Sequence, residues 1–135
     1  MTIPAERWYR ILFLVAAVYD LTLGIVFTFF YESAFALLDI SDALPAYEGF
    51  LVLIGAFLFV IGVAYALIFR APLYRNEDLI AVGWLYKLAY FLVALIFFAL
   101  EGLPHVVFFW VFGIADFLFF LLMFSCWRMI RRAAA

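Results

Sequence analysis

Apolar residues in this chain gather into four long runs, from about Trp8 to Phe30, Gly49 to Phe69, Leu79 to Leu100 and Val106 to Trp127. Each is about twenty residues long. At 1.5 Å per residue each covers roughly 30 Å, the thickness of a bilayer's hydrocarbon core. The pattern predicts four transmembrane helices. Between the first two lies Ser33-Ala34-Phe35-Ala36-Leu37-Leu38-Asp39-Ile40, too short to span and expected to lie at the interface as an amphipathic piece. Ser41-Asp42 should break it, and Pro45 is expected in the first turn of the second long helix, where its missing N–H costs nothing. Asn76 is expected to cap the third helix, with Glu77 and Asp78 where the helix dipole favours carboxylates. The turn Glu101 to His105 is so short that the third and fourth helices must be antiparallel neighbours.

Composition agrees. The 135 residues are 73% apolar and 13% charged, with 19 phenylalanines; a soluble domain is about half apolar and a quarter charged. These figures exclude a disordered chain and a disulfide scaffold. Eight basic against ten acidic residues leave no excess for binding nucleic acid. The single cysteine, Cys126, excludes an intrachain disulfide or a Cys-x-x-Cys redox centre, and is expected to be an inert thiol. The single histidine, His105, excludes bis-histidine haem ligation within one chain and reads as a solvated or helix-capping residue, not a metal ligand. No catalytic residue and no metal site is assigned, and the cofactor, if any, is unspecified. Trp8, Trp84, Trp110 and Trp127 read as an interfacial belt, and the Phe-rich stretches as lipid-facing or packing surface. The first run holds Asp20 and continues to Phe30, too long for a signal core, so the first helix is expected to be retained.

Charge sets the expected orientation. Arg7, Arg10, Arg70, Arg75, Arg128, Arg131 and Arg132 flank the runs on one side, while the links on the other side carry Glu32, Asp39, Asp42, Glu48 and Glu101. The positive-inside rule places both termini in the cytoplasm. The expected fold is therefore all-α: one transmembrane domain over residues 1–135, a polytopic four-helix bundle, N-in and C-in.

Three charges lie deep inside the runs: Asp20, Lys87 and Asp116. Counted from the basic side they sit roughly 15, 14 and 18 Å in, at nearly one level. Charges at such depth face the bundle interior and find partners, so an interhelical Asp–Lys–Asp cluster is expected. Tyr19, Tyr65, Tyr86 and Tyr90 are placed to surround it, their hydroxyls available to the charges. Gly24, Gly55, Gly62, Gly83 and Gly113 lie on the same faces and should let helices approach closely. Such a cluster is equally suited to pinning helix register and to function. Two carboxylates and one ammonium leave a negative charge in excess, the starting point of a proton relay. A weak internal repeat equates Tyr19-Asp20-Leu21 with Tyr86-Lys87-Leu88 and relates two helical hairpins.

Tyr19-Asp20 with Leu23-Gly24, Arg75-Asn76, Lys87, and Gly113-x-x-Asp116 together resemble small, uncharacterised four-helix bacterial membrane proteins. More distantly the chain resembles the DoxX-like superfamily, some of whose members accompany respiratory quinol oxidases. The resemblance implies a bacterial inner-membrane protein and supplies no activity. The signatures of four-helix fluoride channels and small multidrug transporters are missing. Three readings are therefore carried forward. The first is a non-enzymatic accessory subunit or self-associating membrane protein, whose partners are the lipid bilayer and other membrane chains. The second is a proton-linked transporter or channel using the cluster. The third is a binder or enzyme for an apolar molecule such as a quinone.

Overall fold

The structure is a computed structural model and describes residues 5–134. Among these residues six α-helices follow in order: α1 (Glu6–Phe29), α2 (Tyr31–Leu37), α3 (Gly49–Arg70), α4 (Glu77–Glu101), α5 (Val106–Phe108) and α6 (Asp116–Ala134). A π-helical segment, Phe109–Ala115, joins α5 to α6, so that Val106–Ala134 is one continuous rod. Short 3-10 turns occupy Ser41–Ala43 and Leu73–Asn76. Four of the helical stretches are long and apolar enough to cross a membrane, and the described residues contain no strand.

Several local features differ from the sequence expectation. The interfacial helix starts at Tyr31, directly behind α1, and stops at Leu37; Asp39, with φ of 57°, turns the chain away in the left-handed region that a short polar side chain tolerates. Ser41-Asp42 does not simply break the chain but starts a 3-10 turn. Pro45 lies ahead of α3, not in its first turn. The residue before a proline is driven to extended backbone, and Leu44 takes ψ of 135°. Asn76 occupies the N-cap position of α4 but does not cap it. Its amide donates instead to the Pro72 carbonyl at 3.1 Å, across the 3-10 turn. His105 does cap: its Nδ1 accepts from the Val107 N–H at 3.1 Å. The fourth rod continues to Ala134, keeping Arg131 and Arg132 in a last turn whose dipole favours cations.

The long helices pack as two antiparallel pairs. In the first, α1 and α3 touch backbone to backbone. A Cβ at Gly24 would stand 2.8 Å from the Phe59 nitrogen and 2.9 Å from the Gly55 carbonyl; one at Gly55 would stand 2.7 Å from the Thr28 nitrogen. Real side chains do not fit there, so these glycines set the spacing. Gly62 meets Leu21 in the same seam. In the second pair, α4 and α6 mesh through aromatic rings: Trp84 lies 5.1 Å from Phe124 and 5.6 Å from Trp127, and Phe91 lies 4.7 Å from Phe117. Trp84 is thus part of this seam, about two turns inside α4.

The two ends of the molecule have opposite character. At one end Arg10 Nε donates to the Phe69 carbonyl, the Leu73 N–H donates to Glu6, and Arg131 faces Glu77 at 3.4 Å. All seven arginines lie towards this basic end. At the acidic end Tyr31 donates to Glu48 at 2.9 Å, tying the start of α2 to the start of α3. That carboxylate holds the Tyr31 hydroxyl proton above its ordinary range.

Candidate functional site

Asp20, Lys87 and Asp116 come together between the two helix pairs. Lys87 Nζ donates to Asp20 Oδ1 at 2.7 Å and to Asp116 Oδ1 at 2.9 Å. Lys87 and Asp20 have no exposed surface and Asp116 has 2%. The ammonium therefore joins α1, α4 and α6 at one point. Its remaining surroundings are aromatic: the rings of Tyr19 and Phe119 lie 4.9 and 5.1 Å from Nζ, those of Tyr65 and Tyr86 at 5.8 and 5.9 Å. A desolvated cation over such faces gains about 2 kcal/mol, and the same rings exclude water from the pair.

The tyrosines contribute faces, not hydroxyls. Tyr19 donates to the Val111 carbonyl at 2.8 Å and Tyr65 to the Gly83 carbonyl at 2.9 Å. Tyr86 has a buried hydroxyl without a partner. Tyr90 packs against Tyr86 with the rings tilted by 36° and their centroids 4.6 Å apart, one turn away from the ammonium. The expectation that these hydroxyls serve the carboxylates is corrected accordingly: Lys87 already occupies an oxygen of each Asp, and backbone carbonyls compete for the Tyr19 and Tyr65 protons. One carboxylate oxygen, Asp20 Oδ2, is buried without a partner.

Backbone geometry positions these groups. The Tyr65 ring rests where a Cβ of Gly83 would stand, 2.7 Å from its nearest atom, so Gly83 admits the tyrosine one turn before Lys87. The π segment ends immediately before Asp116. Widening the helix over Phe109–Ala115 shifts the register of everything behind it, and it frees carbonyls for outside donors such as Tyr19. Gly113 sits inside this segment and is no close-approach glycine: a Cβ there would meet nothing nearer than 3.7 Å. Its nearest neighbours are the rings of Phe109 in its own segment and Phe98 of α4, at ordinary van der Waals distance.

Beyond the triad, towards the acidic end, the helices part. A crevice of about 260 Å³ opens there, walled by α1, α2, α3, α4, α5 and the π segment. Phe35 reaches in from α2 and meets Phe108 edge-on at 6.1 Å, and Phe27 lies 6.0 Å from Phe112. A second crevice of about 190 Å³ lies on the other side of the same four rings. Tyr90 and Ala94 of α4 line the first. No charged side chain borders either.

Sequence reasoning names the three charges and places Tyr19, Tyr65 and Tyr86 beside them, for their hydroxyls and not for their rings. It misses Phe119 beside the ammonium and the crevice phenylalanines. The available signal is spacing: Phe27 follows Asp20 and Gly24 on one face of α1, and Phe108 and Phe112 lie four apart. Comparison with protein-family models, curated proteins and solved structures gives no match for this chain.

Proposed function

We propose that this chain is a non-enzymatic, multi-pass membrane protein that holds a hydrocarbon-chained molecule in the crevice at its acidic end. It is read as a four-helix bundle in a cell membrane with both termini on the cytoplasmic side. One observation carries the reading: a crevice whose walls come from every long helical rod and from α2, with aromatic and aliphatic side chains only. Ligand sites in membrane and soluble proteins alike are concave and mostly apolar. The ion-paired triad supports the same reading, since it ties α1, α4 and α6 together behind the crevice and leaves no charged side chain facing into it.

The test is extraction in mild detergent, followed by mass spectrometry of what travels with the protein. A hydrocarbon-chained molecule in stoichiometric amount is expected, and Ala94→Phe, which fills the crevice, should release it while keeping the helical circular-dichroism spectrum. Protein free of any such molecule, or an Ala94→Phe variant that keeps it, would sink the reading. Recovery of other subunits in fixed ratio instead would make the chain an accessory subunit.

A second reading, a proton-linked carrier, is favoured by the unpartnered Asp20 Oδ2 and the uneven charge count of the triad. Proteoliposomes loaded with a pH-sensitive dye test it. Proton flux that Asp20→Asn abolishes would establish it, and equal flux in the variant would remove it.

A further inference from the structure

Three arginines end α6, and they are not equivalent. Arg131 turns towards α4 and faces Glu77 at 3.4 Å. Arg128 and Arg132 turn the other way and have no carboxylate partner among the described residues. They border a groove of about 350 Å³ together with Phe124, Ser125 and Met129. The Arg128 guanidinium lies 5.8 Å from the centre of the Phe124 ring. Ser125 Oγ also lies 3.2 Å from the hydroxyl of Tyr9 on α1. The groove thus holds two free cations and one hydroxyl over a floor of Phe124 and Met129, where the last apolar turns of α6 give way to its charged end.

From this placement we infer that the groove is a binding site for an anionic phospholipid. The phosphate would lie between Arg128 and Arg132, with Ser125 as a further donor, and the acyl chain would run along Phe124 and the exposed Leu121. Charge complementarity selects the occupant. The end of the molecule that carries the groove has seven arginines against Glu6, Glu77 and Asp78, so an anion is attracted both locally and by the surrounding field. Arginine forks suit phosphate oxygens, and basic groups at this level of a membrane helix attract anionic headgroups. The apolar floor distinguishes a lipid from a free phosphate, which would gain nothing from Phe124 and Met129. This inference rests on the membrane reading alone and is independent of any occupant of the crevice.

The experiment uses full-length protein in nanodiscs of phosphatidylcholine doped with phosphatidylglycerol, followed by detergent release and native mass spectrometry. The wild type should retain phosphatidylglycerol over phosphatidylcholine, and retention should fall as salt rises. Arg128→Gln with Arg132→Gln should lower that retention about tenfold or more; Arg128→Lys with Arg132→Lys should restore much of it. Arg131→Gln should leave it intact, because that side chain faces Glu77. Both substituted arginines are exposed, and an unchanged melting temperature verifies the fold. Equal retention of the two lipids by the wild type would overturn the assignment, as would undiminished retention in the double Gln variant. Displacement by inorganic phosphate, but not by chloride at equal ionic strength, would assign the groove to free phosphate and overturn it equally.

Discussion

Lys87 is the residue on which three helices depend, and its removal has a distinctive signature. Lys87→Met leaves Asp20 and Asp116 buried together without a counter-ion, and breaking a buried pair from one side costs about 3–5 kcal/mol. Adding Asp116→Asn removes one stranded charge, so the double variant should melt at a higher temperature than the single one. Thermal unfolding in detergent decides; a double variant no better than Lys87→Met would mean the ion pair is not what holds the helices. Tyr19→Phe is the milder counterpart. It keeps the ring over Lys87 Nζ and deletes only the hydrogen bond to Val111, for about 1 kcal/mol. The triad itself is legible in the sequence, because three lone charges at one depth in apolar helices have few places to go. The tyrosines are legible only as neighbours. Whether a ring or its hydroxyl faces a charge depends on which backbone carbonyls lie free nearby, and Val111 lies free only because its helix is widened.

That widening belongs to the scale of elements, and there the sequence is silent. Four spans and a short outer helix follow from runs of apolar residues. Nothing in Phe109-Trp110-Val111-Phe112-Gly113-Ile114-Ala115 announces a π turn, because the same letters suit an α-helix. The tertiary contacts at this segment are the Tyr19 bond to the Val111 carbonyl and, at its end, the Lys87 bond to Asp116. Deleting Ile114 should return the segment to α-helix with Asp116 still facing Lys87, because six α-helical residues turn the chain about as far as seven at the wider π spacing. The deletion should therefore keep the Lys87–Asp116 bond and cost no more than the Tyr19 hydrogen bond to Val111, measured by the same melting assay. The glycines divide in the same way. Gly55→Leu must force α1 from α3, and overpacking of this kind costs about 1–3 kcal/mol or more. Gly113→Ala has room and should change the melting temperature little. Equal damage at both positions would show that the backbone contact of α1 and α3 does not set the helix spacing. Asp20 and Lys87, which the sequence repeat equates, bond to each other across the helix pairs.

At the scale of the whole molecule, charge is sorted more sharply than shape. A cysteine introduced at Asn76 should be shielded from impermeant reagents in intact cells, and one at Ser41 should be labelled; the reverse pattern would invert the proposed topology. The two polar ends are roughly 30 Å apart, the length of a twenty-residue helix. Seven arginines stand at one and five carboxylates, Glu32, Asp39, Asp42, Glu48 and Glu101, at the other. The protein is therefore a permanent electric dipole set along the direction in which an energised membrane is polarised. Carrying one elementary charge through such a membrane involves about 2.3 kcal/mol per 100 mV. In the proposed orientation, with the arginines on the negative side, the membrane potential itself presses the molecule into place, and a voltage that collapses relaxes that force on every arginine at once.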